Sequence, residues 1–153
     1  MQPAFPKRFV YPFFLVHMLM FGLSGFVLAY GADGDVVFLY LHGGMAIVVY
    51  TVFYLVIFGV DAVTWMFINA VLGLVGIYTQ IGWILGFFGR NVYDYPWYVH
   101  AVPVTYFVLY TFLLRQLVLD LTRSRDNPVR RRWVEAAYVA LSLLFYGATL
   151  LLR

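Results

Sequence analysis

Three histidines, His17, His42 and His100, are the side chains of this 153-residue chain best suited to chemistry. Neutral imidazole ligates haem or a chlorophyll-type macrocycle, relays protons, or hydrogen-bonds a neighbouring helix. All three lie in or beside long apolar stretches, where an ionisable group is costly and needs a partner or a task. His42 and His100 fall toward the same end of their two stretches, offset by roughly one helical turn of about 5.4 Å. That places them as a candidate axial pair for a b-type haem or other macrocycle. His17 lies deep on the opposite side and pairs with neither, so it serves a second site if it binds anything. The competing reading is structural: His42-Gly43-Gly44 is the composition of a tight helix contact with one hydrogen-bonding histidine.

Amides and hydroxyls form a second set. Asn69, Gly73, Gly76 and Gln80 recur at the spacing of one helix face, and Gly82 with Gly86 adds a small-xxx-small pair. This face suits close helix packing with amides as hydrogen-bonding glue, or the wall of a cavity. Further on, Glu135, Tyr138, Ser142, Tyr146 and Thr149 make a second stripe. It reads either as a hydrated path with Glu135 at its mouth, or as an inward face of hydroxyls with Glu135 at a helix N-terminus.

No residue is assigned a catalytic role. The chain has no cysteine, which removes disulfides, thiolate metal sites, iron–sulfur clusters and thiol catalysis. Asp33-Gly34-Asp35 has too few oxygen ligands at fixed spacing for a calcium loop, so it reads as a solvated turn and no metal site is expected. Nucleophile elbow, phosphate loop and zinc-binding helix motifs are lacking as well.

The elements that position these residues are long and apolar. Hydrophobic residues make up 64% of the chain and charged residues 11%, the composition of a chain solvated by lipid. Between Val36 and Gly89 the one charged side chain is Asp61. A single helix of that length would measure about 80 Å against a hydrocarbon core of about 30 Å. The segment must cross twice, turning at Gly59-Val60-Asp61-Ala62. The expected fold is an all-α, five-helix integral membrane bundle in one domain, with spans at residues 9–30, 36–58, 63–88, 97–119 and 133–152. Pro103 is expected to kink the fourth span. The tyrosine- and tryptophan-rich residues 89–98 read as an interfacial loop.

Charge sets the orientation. With the N-terminus in the cytoplasm, Lys7, Arg8, Arg115, Arg123, Arg125, Arg130, Arg131 and Arg132 fall inside, while Arg90 and Arg153 fall outside. Arg115 is expected to snorkel to the cytoplasmic surface. The basic residues therefore report a bacterial-type inner membrane and not nucleic acid. The expected partners are the bilayer and other membrane subunits, or a second copy of the chain. The expected function is that of a non-enzymatic subunit or accessory component of a homo-oligomer or larger membrane complex. A channel or transporter using the polar stripes, and a haem-binding redox protein using His42 and His100, are the alternatives.

Overall fold

The computed structural model describes residues 7–31 and 34–151, the side chains of residues 7, 8, 145, 146, 149 and 150 excepted. Asp33, Arg153 and the side chains of Lys7, Arg8, Tyr146 and Thr149 lie outside the described set. Every regular element among the described residues is helical. Helix α1 covers Lys7–Tyr30, α2 Val36–Phe58, α3 Val60–Leu72, α4 Leu74–Phe87, α5 Ala101–Leu121 and α6 Pro128–Leu151. The chain divides into two compact units, Met1–Leu113 and Leu114–Arg153.

Among the described residues, three helices are long and apolar enough to cross a membrane: Phe9–Tyr30, Val36–Phe58 and Trp97–Leu121. The pair α3 and α4 makes a fourth if it counts as one span. Helix α6 carries Arg130, Arg131, Arg132 and Glu135 in its first two turns.

Local chemistry explains most boundaries. Gly59 ends α2 at φ +88°, a conformation that disfavours any side chain, and α3 begins at the next residue. The turn falls within the expected tetrapeptide. Helix α4 closes with a Schellman motif: Gly89 takes φ +65°, its N–H bonds Gly86 O at 3.1 Å, and the Arg90 N–H bonds Leu85 O at 3.0 Å. Pro103 behaves differently from expectation. A 3₁₀ turn at Trp97–His100 precedes α5, so the proline sits in the first α-helical turn, where its missing amide is harmless.

The expected third span is also different. It is two helices, bent by 69° at Gly73. Gly73 N bonds Asn69 O at 2.9 Å as the last rung of α3, and Ile77 N bonds Gly73 O at 3.0 Å as the first rung of α4. The two helices thus share Gly73 as C-cap of one and N-cap of the other.

Within the first unit the core is Met18, Leu39, Tyr54, Leu85 and Leu109, all with no more than 1% exposure. Tyr54 from α2 donates to Leu109 O on α5 at 2.9 Å and meets Met18 Sδ on α1 at 3.0 Å, tying three helices at one level. Near one end, Tyr30 at the C-terminus of α1 meets Arg90, Tyr95 and His100. Toward the other, Phe58 packs its ring on Phe112 at 5.4 Å. Helix α2 thus runs away from the Tyr30 end, and α3 with α4 brings the chain back to it.

Candidate functional site

His17 and His42 line the same groove between α1 and α2, about 670 Å³ in volume and walled mainly by Phe13, Phe14, Phe21, Phe38, Tyr50 and Phe53. Its shape begins in the backbone. Asp35 caps the start of α2, accepting from Phe38 N at 3.0 Å. The next residues, Leu39–Gly44, form a π-helical turn that includes His42. Such wide turns recur at functional positions because they re-aim side chains relative to a regular helix. Gly43 makes this one fit: a β-carbon there would lie 2.6 Å from Val102 Cγ1 on α5. Gly25 on α1 faces the same two residues, Val102 and Tyr106, at ordinary contact distance.

Each histidine of the groove is held by one nitrogen. His17 Nδ1 is 2.8 Å from Phe13 O and its ring lies 4.1 Å from the Phe13 ring. A carbonyl only accepts, so His17 Nδ1 carries the proton and donates. Ser24 Oγ donates to Phe21 O at 2.9 Å and lies 3.3 Å from His42 Nε2. Its proton is spent on the carbonyl, so it accepts from His42 Nε2–H. Phe38 stacks on the His42 ring at 5.7 Å with an interplanar angle of 10°, and Phe21 approaches at 5.1 Å.

His100 belongs elsewhere. It is 4% exposed, and its Nδ1 is hydrogen-bonded to Tyr30 Oη at 2.7 Å. Tyr78 stands edge-on to it at 5.2 Å. Arg90 bonds Tyr30 O, and its Nη1 also donates to Tyr95 Oη at 2.8 Å. His100 is thus part of a tyrosine cluster that closes the end of α1. His42 and His100 touch α1 at Ser24 and Tyr30, about 9 Å apart along the helix. His17 and His42 line one groove, and His100 lies outside it.

The bend at Gly73 divides the residues of the expected span 3 face between α3 and α4. Asn69, Gly73, Gly76 and Gly86 are exposed, and Gln80 is half-buried. A β-carbon at Gly76 would meet nothing within 4 Å, and one at Gly73 would meet only carbonyl oxygens of its own helix. Gly82 packs on Val92 of the following loop. The close helix packing of the first unit is made instead by Gly25 and Gly43. Of these, only the His42-Gly43-Gly44 composition signals it in sequence.

In the second unit α6 starts at Pro128, five residues before the expected 133. Asn127 Oδ1 caps it, accepting from Val129 N at 3.1 Å and Arg130 N at 3.0 Å. Glu135 is consequently in the second turn and not at an N-terminus. Its carboxylate is held by Arg115 and by Arg131, the latter at 3.1 Å. Ser142 Oγ donates to Tyr138 O at 2.8 Å, which satisfies the hydroxyl within its own helix. Tyr138 is half-buried beside it. Arg125 bonds Asp120 at 2.7 Å and the buried Gln116 at 2.9 Å.

Compared with known protein families, curated proteins and solved structures, the chain matches none.

Proposed function

We propose that this chain is a five-span protein of a bacterial-type inner membrane, N-terminus inside and C-terminus outside, that works as a non-enzymatic subunit of a homo-oligomer or larger membrane complex. The carrying observation is the outward face of α3 and α4. Leu72 and Val75 are 79% and 80% exposed, and between and beside them lie Gly73, Gly76 and the exposed amide of Asn69. Large apolar side chains need only lipid. An amide does not: hydrocarbon offers it no partner, whereas a second helix approaching over glycines does. Among the described residues of the first unit, no helix covers this face, while Gly25 and Gly43 serve internal packing.

The five-span count draws support from the return of α4 to the Tyr30 end. A re-entrant pair would come back to the end where α3 began, near Phe58. With α3 and α4 taken as one crossing and α6 as the last, the arginine-rich residues 123–132 fall on the side of the N-terminus.

Absence of native cysteine makes the test clean. In native membranes, a membrane-impermeant maleimide applied from outside labels Gly34→Cys and leaves Asp126→Cys unlabelled until the membrane is opened. Val75→Cys, under mild oxidant, forms a disulfide-linked species with an equivalent copy, or is shielded from a lipid-soluble maleimide by a partner. Outside labelling of Asp126→Cys rejects the orientation. Free labelling of Val75→Cys with no cross-link rejects the assembly.

A further inference from the structure

The groove holding His17 and His42 has a hydrogen-bonding character that the assembly reading does not use. Both imidazoles are held in one tautomer: His17 protonated on Nδ1 by the Phe13 carbonyl, His42 protonated on Nε2 by the Ser24 hydroxyl. In the neutral ring the remaining nitrogen is an acceptor. The groove therefore offers two acceptor nitrogens, His17 Nε2 and His42 Nδ1, between flat aromatic walls. A matching ligand carries two hydrogen-bond donors and a flat apolar body, and it reaches the site from the bilayer.

Spacing narrows the class. His42 meets α1 at Ser24, seven residues beyond His17, which is about 10 Å along the helix axis. Two nitrogens bound to one metal lie about 4 Å apart, at about 2 Å each. A single iron shared by both is excluded by that difference. A ring with hydroxyls at its two opposite ends is a better match, since two hydrogen bonds of about 2.8 Å add to the length of the ring itself. The volume of about 670 Å³ is that of a pocket for a molecule of this size with the root of a tail.

We propose that the α1–α2 groove binds a lipid-soluble 1,4-benzoquinol, its ring between the phenylalanines and its two hydroxyls donating to His17 and His42. The oxidised quinone has no hydroxyl to donate, so the site discriminates between the two states of such a molecule. It does so by binding alone, with no electron transfer implied.

The experiment is calorimetric titration of the detergent-solubilised full chain with three probes of equal tail length: a decyl benzoquinol, its dimethyl ether and the quinone, under anaerobic conditions. Two hydrogen bonds make the quinol bind about tenfold to a hundredfold more tightly than either of the others. His17→Phe and His42→Phe keep an aromatic ring in the wall and each lose about tenfold of that preference. Equal affinity of wild-type protein for the quinol and its dimethyl ether overturns the proposal without recourse to any variant. Retention of the full preference in the double variant overturns it equally.

Discussion

At the scale of the residue, the histidines were legible as the groups to watch, but their partners were not. The partner of His100 is Tyr30, seventy positions earlier. Nothing in spacing singles Tyr30 out among thirteen tyrosines. The contact is strong enough to test. Tyr30→Phe removes the hydroxyl that bonds His100 Nδ1 at 2.7 Å in a buried site. The expected cost is about 1–3 kcal/mol, read as a lower midpoint of thermal unfolding in detergent. Tyr93→Phe, on a side chain 80% exposed, leaves the midpoint unchanged. The tautomers of His17 and His42 were also illegible. They depend on Phe13 and Ser24, and the Ser24 contact exists only because a π-helical turn sets the direction of His42.

At the scale of the element, the apolar runs and the glycines of true turns were readable, since both are written in local chemistry. Gly59 and Gly89 take positive φ, and each stands where the composition marks a helix end. Two features escaped. The bend at Gly73 has φ −92° and ψ 3°, which any residue can adopt, so the glycine there carries no signature that separates a break from a packing face. The start of α6 was placed late because a run of arginines reads as loop. Asn127-Pro128 is in fact a strong start signal, a side-chain cap followed by a proline at the first helical position. Asn127→Ala removes the acceptor for two backbone amides and is expected to cost about 1 kcal/mol. Circular dichroism across a thermal ramp checks it, and an Asn127→Asp variant retains the cap and the wild-type midpoint. Ion pairing of Glu135 follows from the same shift in register, because starting at Pro128 sets Arg131 one turn before it on a helix face.

At the scale of the whole molecule, what the sequence carried was the solvent. A chain this apolar, with charge gathered in so few places, carries helices long and apolar enough to cross a membrane, and they bear exposed apolar faces. Which faces meet lipid and which meet protein is a question of shape, and composition cannot answer it. Glycines at helical spacing appear identical whether their neighbour is in the same chain or in another. The structure separates the two groups: Gly43 is in contact with α5, while Gly76 has open space beside it. The central claim is that this open face is where the chain joins a complex. It is tested most directly by the mass of the protein in lipid nanodiscs after gentle extraction, wild type against Gly76→Leu. A β-carbon at position 76 meets nothing within 4 Å, so Gly76→Leu is expected to keep the fold, checked by an unchanged thermal midpoint. The account predicts a wild-type particle larger than one 17.7 kDa chain, and a Gly76→Leu particle that is the folded monomer. Identical masses for the two, whether both monomeric or both assembled, would contradict it.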